Sequence, residues 1–286
     1  MRLRIIYDRQ QDKTQMLELK HLSAIRFRGA DAGSFLHGQL SADVLALSNG
    51  DSTFACYCEP KGRVLALVLV QKNAEDYYVI MSSKLVTAVI DRLKIYRMRS
   101  KVEIENLNEI KVCGLWADNK PEPTLTSPLS IRLPGNNQWL LMTDHETEAD
   151  KQPSLQERWR NSELQMGISW LNPETSGQFL PQMLGFEQLG AVNYRKGCYP
   201  GQEIVARTHY LGKIKRHPRI INCRLTNHPK PMDKIKILNN DLSHDAVVAD
   251  CGSDPDGKLC LLVVTRMAPE MPAQRLEFQD EIKDVI

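Results

Sequence analysis

The longest uninterrupted apolar run in this chain, Val64 to Val70, is only of strand length. No stretch approaches the roughly 20 apolar residues that cross a bilayer. The core therefore has to be assembled from short strands and one-faced helices joined by turns. With 286 residues, 42% hydrophobic and 25% charged, there is enough apolar material for two or three compact units. The opening residues Met1 to Asp8 lead straight into Arg9-Gln-Gln-Asp-Lys13 and lack the apolar centre of a signal peptide. A cytoplasmic protein without membrane contact is expected.

The local patterns predict an α+β chain. Gly29-Ala-Asp31 precedes Ala32 to Leu40, where Asp31 is placed to cap a helix. Thr53 to Cys58 and Arg63 to Gln71 are rich in strand formers, and Glu59-Pro-Lys-Gly62 between them has the Pro and Gly of a hairpin turn. Asp76 to Met81 reads as a strand. Ser82 or Ser83 is placed to cap a helix whose apolar positions Val86, Val89, Ile90, Leu93 and Tyr96 repeat every three or four residues. Short strands follow at Val102 to Glu105 and Ile110 to Leu115. Lys120 to Pro128 is a Pro-rich connection. Strands are predicted at Leu129 to Leu133 and Gln138 to Met142, around Pro134-Gly-Asn-Asn137, and then a helix from Gln152 to Gln165 stopped by Gly167. Ile168 to Tyr199 has little periodicity, and irregular stretches of that length usually carry function. Beyond Pro218 five short apolar runs alternate with Pro, Gly, Asn and Asp, the pattern of a small β-barrel. The units expected are 1–118, 119–216 and 217–286.

Seven cysteines at irregular spacing, several in apolar surroundings, point to reduced thiols and not to a disulfide framework. Cys56-Tyr-Cys58 is half a metal site with nothing near it in sequence to complete the set, so no metal is expected. The net charge of +2 says little, but its distribution says more. Between Arg195 and Arg219 stand Arg195, Lys196, Arg207, Lys213, Lys215, Arg216 and Arg219 with Glu203 as the only acid. The rest of the chain, from totals of 37 and 35, holds 30 basic and 34 acidic residues. The run Lys213 to Arg219 has two readings, a phosphate-binding patch and a solvated linker into the β region.

Within the basic stretch, Gly197 and Gly201 bracket Cys198, and Pro200 suits the first turn of a helix over about Gly201 to Arg207. A thiol just before a helix N-terminus, beside Arg195 and Lys196, has the surroundings that lower a cysteine pKa. The alternative is a small residue packed in a tight loop. His209 is a candidate base for Cys198, without a third member to complete the set.

Tyr194-Arg-Lys-Gly-Cys-Tyr-Pro-Gly-Gln-Glu-Ile-Val-Ala-Arg207 resembles the K-G-C-Y-x-G-Q-E signature of the YgfZ family. Thr175-Ser-Gly-Gln-Phe-Leu-Pro-Gln182 is similar to that family's S-G-Q-F-x-P-Q segment. Gly29-Ala-Asp31, Gly38-Gln-Leu-Ser-Ala-Asp43, Lys61-Gly-Arg63 and Arg99-Ser-Lys-Val102 fall where the family has like residues. The resemblance runs from about Leu22 to Arg216. It implies an aminomethyltransferase-like fold of three units around a central folate cavity, with a C-terminal small β-barrel. It implies a reduced folate such as tetrahydrofolate as cofactor, support of iron–sulfur protein assembly or repair, and modification of some tRNAs. Iron–sulfur enzymes, tRNA-modifying ones among them, are the implied partners, with direct tRNA contact open.

By the same resemblance Cys198 is the functional thiol and Trp159 matches a tryptophan of the folate pocket. Leu22 stands where the family has another tryptophan. Arg97, Arg99 and Arg207 are candidate anchors for the folate tail. Gln178, Lys196, Tyr199, Gln202 and Glu203 are candidate contacts around the ring. The expected mode is binding and not turnover. The rivals are a folate-dependent aminomethyltransferase, for which Asp43 and Asp51 are the candidate bases, and a tRNA-binding accessory module.

Overall fold

The computed structural model describes residues 16–117, 130–134, 137–144, 153–212, 214–240 and 242–286. The Pro-rich connection at 120–128, the start of the strand expected at 129, the turn residues 135 and 136, the helix start at 152, and position 213 lie outside them, as do residues 1–13. The chain is mixed α/β with three antiparallel sheets.

After β1 (Met16–Glu18) come β2 (Leu22–Arg28) and α1 (Ala32–Gln39). β3 (Ser52–Cys58), β4 (Val64–Asn73), β5 (Asp76–Ser82), α2 (Val86–Arg97) and β6 (Glu103–Asn106) complete a five-stranded sheet of order β3-β4-β5-β2-β6. The turn between β3 and β4 closes through Glu59 N–H to Arg63 O (2.9 Å) and Gly62 N–H to Glu59 O (2.8 Å), as its Pro and Gly predict. Two caps differ from expectation. Asp31 sits at the α1 N-cap, but its carboxylate accepts the Lys101 N–H (2.6 Å) and so ties the helix to the segment before β6. α2 starts after Leu85, while the Ser83 hydroxyl donates to Lys20 O. The face Val86, Val89, Ile90 and Leu93 is buried as its spacing requires; Tyr96 is 40% exposed.

β7 (Lys111–Trp116), β8 (Ser130–Arg132) and β9 (Gln138–Thr143) pair with β1 in a four-stranded sheet of order β1-β7-β9-β8, which spans the boundary placed near residue 118. α3 (Pro153–Gln165) packs on this sheet through Trp159. A side chain at Gly114 on β7 would come within 2.7 Å of the Trp159 ring. From Ile168 to Gly201 the chain is irregular except for a 3-10 turn at Pro181–Leu184, followed by α4 (Gln202–Tyr210).

The last sheet has order β10-β13-β12-β11-β14-β15, from β10 (His217–Cys223), β11 (Lys234–Asn239), β12 (Leu242–Ser253), β13 (Leu259–Thr265), β14 (Arg275–Phe278) and β15 (Glu281–Asp284). It has six strands where five were expected. β15 is largely charged and exposed, so no apolar alternation marks it. Gln279 and Asp280, both at positive φ, turn β14 into it, the two-residue geometry that fits the twist of a hairpin. β13 is buried along its whole length. Leu259, Leu261 and Val263 face the sheet's own core, while Cys260, Leu262 and Val264 join the main core shared with the other two sheets. No described helix is long and apolar enough to cross a membrane.

Candidate functional site: the loop that carries Cys198

The loop before α4 is fastened at both ends. At its start Asn193 donates its N–H to Ser41 O (2.8 Å), and its side-chain oxygen accepts the N–H groups of Arg195 (2.8 Å) and Lys196 (3.1 Å). Such an Asx turn makes the bend without glycine. The Ser41 hydroxyl is buried between Ala191 O and Cys56 N–H, so the junction of α1 and β3 forms the floor under this start.

Lys196 is 8% exposed, and its ammonium donates to His37 O and Leu40 O (2.7 Å). Those are carbonyls at the C-terminal end of α1, the groups that a helix leaves without partners. A cation there also meets the negative end of the helix dipole. Lys196 is therefore a helix cap delivered from 156 residues away. Its Nζ also lies 5.0 Å over the Tyr199 ring. Burial pulls the Lys196 pKa down to about 8, with Asp43 and Cys198 opposing it.

At the far end Gly201 has φ +83°. A Cβ there would lie 2.4 Å from Glu59 O and 2.6 Å from the Gly62 Cα. Gly62, at φ +78°, would meet Ile204 and Gly201 in turn. The β3–β4 turn and the Cys198 loop thus touch backbone to backbone, which only two glycines permit. The 175–182 segment joins them. Gly177 and Phe179 exchange backbone hydrogen bonds with Val64, the Ser176 hydroxyl donates to Leu65 O (2.7 Å), and Arg63 Nη1 donates to Gln178 O (3.2 Å). Buried Gln182 donates to Val205 O on α4 (3.0 Å). Three motifs distant in sequence are assembled into one place.

Between these anchors Cys198 is exposed, and the other six cysteines, all described, are buried or half-buried. A Cβ on Gly197 would stand 3.6 Å from His37 Nε2, so an imidazole borders the thiol's loop. His37 Nδ1 is 3.2 Å from Asp43 Oδ1, too bent for a hydrogen bond. Burial and the Lys196 charge lower the His37 pKa against the pull of Asp43. The helix expected to begin near Pro200 begins at Gln202, with Gly201 as its left-handed N-cap, so its free amides are not set directly at Cys198. His209 is no base for Cys198: it bonds Glu187 (2.9 Å) and stacks on Tyr194.

The residues expected around a folate are not gathered into one pocket. Trp159 is 0% exposed, bonded through its indole to Glu163 (3.0 Å) and edge-on to Trp116 at 4.8 Å. Leu22, at 5% exposure, is core at the start of β2. Neither presents a face to solvent. Arg97 and Arg99 line a depression of about 620 Å³ with Arg28 and Lys101, and no residue of the Cys198 loop borders it. Gln178, Glu203 and Arg207 are exposed. Gln202 bonds Lys196 O (3.3 Å). Tyr199 is 6% exposed with an unpartnered hydroxyl, and burial raises its pKa. That orphaned phenol is the one group of the expected set with an unused polar atom inside the fold, and it sits next to Cys198.

Sequence reasoning missed the polar centre of the fold. Glu163, wholly buried on α3, accepts from Trp159 and Trp170 on one oxygen and from His21 (3.0 Å) and Arg160 (3.4 Å) on the other. Burial pushes its carboxyl up, but His21, Arg160 and the Trp170 indole outweigh that and hold it below the usual range. Arg160 continues to Asp250 on β12, which also accepts from Ser169 (2.5 Å), so α3 is bonded to the last sheet. Glu163 follows Trp159 by one turn on a largely polar helix, and nothing in that pattern marks it as buried.

No family model matches the chain. An uncharacterised protein of Haemophilus influenzae is 32% identical over 206 residues, 71% of each chain. A protein of Vibrio atlanticus named tRNA-modifying protein YgfZ is 30% identical over 223 residues, covering 72% of this chain and 69% of that one. Its namesake in Colwellia psychrerythraea is 24% identical over 295 residues, 93% and 90%. Among solved structures, aminomethyltransferase T of the Bartonella henselae glycine cleavage system aligns with a TM-score of 0.69 at 14% identity, covering 95% of this chain and 84% of that one. The fold is thus aminomethyltransferase-like. Gly201, the helix-capping Lys196 and the exposed Cys198 all fall on the Tyr194–Arg207 signature, with Gly62 on the Lys61–Arg63 element, and with these identities and coverages the chain belongs to the YgfZ family.

Proposed function

We propose that this chain is a cytoplasmic folate-binding protein with a part in tRNA modification, and that it supports iron–sulfur enzymes by holding a reduced folate near the Cys198 thiol. Two likenesses support the folate and tRNA parts: relatives named tRNA-modifying proteins, and an aminomethyltransferase among the similar folds. The observation that carries the thiol part is the exposure of Cys198 on a loop pinned at Asn193, Lys196 and Gly201. A fixed, accessible thiol beside a cation can carry sulfur, or ligate iron in transit. The Tyr199 hydroxyl is the group we assign to the ligand's polar edge. We also propose three units, the last a barrel. The Ile286 N–H reaches Asn222 O on β10 (2.8 Å), which favours closure from the far edge.

Binding without turnover is favoured by the state of the carboxylates that a transferase would use as base. Asp43 caps a turn through the Ala46 N–H (3.3 Å), and Asp51 accepts the Ser48 N–H (2.9 Å). The test is complementation of a deletion strain. Cys198→Ala should fold, bind tetrahydrofolate by calorimetry, and fail to restore an iron–sulfur tRNA-modifying enzyme. Full restoration would exclude a role for the thiol.

A further inference from the structure

On the other side of Arg195 from the thiol lies a second constellation. The rings of Tyr194 and His209 are stacked with centroids 3.9 Å apart and 19° between planes. Tyr210 stands edge-on to both, at 5.8 and 4.8 Å. Glu187 fixes the pair from behind, accepting from the Tyr194 hydroxyl and contacting His209 Nδ1 at 2.9 Å. Two of the three rings are thereby set before any ligand arrives. Tyr210 is nevertheless 64% exposed, and Leu211 next to it 83%. The rings border a cavity of about 500 Å³, completed by Val192, Asn193 and Arg195. Arg195 is exposed and has no ion-pair partner among the described residues. Arg207, Lys215 and Arg216, all exposed, lie close in sequence.

A buried cluster of aromatic side chains needs no ligand to explain it; an exposed one beside an unpaired guanidinium does. Aromatic faces interleaved with cations suit a partner made of flat rings joined by phosphates. A protein partner would be drawn by an apolar patch. Here the cavity's apolar lining is mainly aromatic, with Val192 the aliphatic exception, and the acid among its contacts, Glu187, is already occupied by the rings.

We propose that the Tyr194–His209–Tyr210 cavity is a contact site for single-stranded RNA, a base stacking on Tyr210 while Arg195 takes a neighbouring phosphate. The proposal deepens the tRNA part of the function above and does not depend on the folate part.

The test is fluorescence anisotropy of the full-length protein with an end-labelled, single-stranded RNA of mixed sequence, over a salt series. Tyr210→Ala should weaken binding roughly 5- to 150-fold, the loss of one stacked base. Tyr210→Trp should preserve it. Arg195→Ala should weaken binding and flatten its salt dependence. The same RNA annealed into a duplex, with its base faces covered, should bind less well. Tetrahydrofolate binding, measured by calorimetry, should be unchanged in Tyr210→Ala and Arg195→Ala, so failure of the folate reading and failure of this one are told apart. Equal RNA affinity of wild type and Tyr210→Ala overturns the proposal. So does an affinity for a polyglutamate peptide above that for RNA.

Discussion

If Lys196 is a tertiary helix cap, Lys196→Met should destabilise the protein, and by an amount that changes with pH in a direction the structure dictates. Two charge-assisted hydrogen bonds are worth roughly 3–6 kcal/mol together. Against them stands the cost of burying the ammonium. A pKa falling from 10.5 to about 8, at about 1.4 kcal/mol per pKa unit, puts that cost near 3 kcal/mol. The net worth of the charged cap at neutral pH is therefore small, on the order of 0–3 kcal/mol. Methionine, however, leaves the carbonyls of His37 and Leu40 without this donor, and each stranded buried acceptor costs about 1–3 kcal/mol. The expected loss at pH 7 is about 2–4 kcal/mol, read from urea denaturation.

The sign with pH follows from linkage. The folded-state pKa lies below the unfolded one, so between pH 8 and about 10.5 the unfolded chain binds the proton that the folded chain has released. Stability from this group rises with pH across that window. Methionine does not titrate, so the gap between wild type and Lys196→Met should widen by up to about 3 kcal/mol between pH 8 and 10.5. A gap that narrows with pH, or a methionine variant within about 0.5 kcal/mol of wild type at pH 7, would refute the capping role.

Gly201→Ala combines a left-handed φ with a Cβ 2.4 Å from a backbone oxygen; it should cost about 3 kcal/mol and lower Tm by at least about 5 °C in calorimetry. Glu163→Leu strands two indole N–H groups and leaves Arg160 with Asp250 alone, so it should cost about 4 kcal/mol, and Glu163→Gln, which keeps an oxygen for the indoles, about 2 kcal/mol. Since the Glu163 carboxyl is held below its usual range, its contribution is complete above about pH 4.3 and is lost as pH falls through the lower folded value, so wild type and Glu163→Gln should converge in acid. A thiol-specific reagent should label one cysteine per native chain rapidly and all seven in denaturant, and Cys198→Ala should abolish the fast phase; two equally fast native thiols would count against the exposed loop.

What could be read from the sequence was whatever depends on near neighbours. The buried stripe of α2 and the Glu59–Gly62 turn follow from residues within a turn or two of one another. The caps did not follow: Asp31 and Ser83 have good capping chemistry, but better partners came from Lys101 and Lys20, which only tertiary structure brings near. Trp159 was legible as an aromatic residue beside a motif, yet its place was decided by Gly114 on another element, whose missing side chain makes room for the ring. β15 was invisible because an edge strand of charged residues shows no period.

The signature itself divides in a way that the sequence does not display. Gly201 serves contact with the β3–β4 turn, and Lys196 serves the end of α1; both are spent on holding the loop. Tyr199 lies buried beneath the Lys196 ammonium with its hydroxyl unpartnered. Cys198, flanked by these three, is turned outward, although a small thiol is the side chain most easily taken into a core. Nothing in the packing requires that exposure. A loop that commits a lysine cap, a backbone-to-backbone glycine contact and an Asx turn to its own placement, and leaves one sulfur outside, is built to keep that sulfur in one position. On the function proposed above, that thiol is the group the loop would present to a sulfur or iron partner.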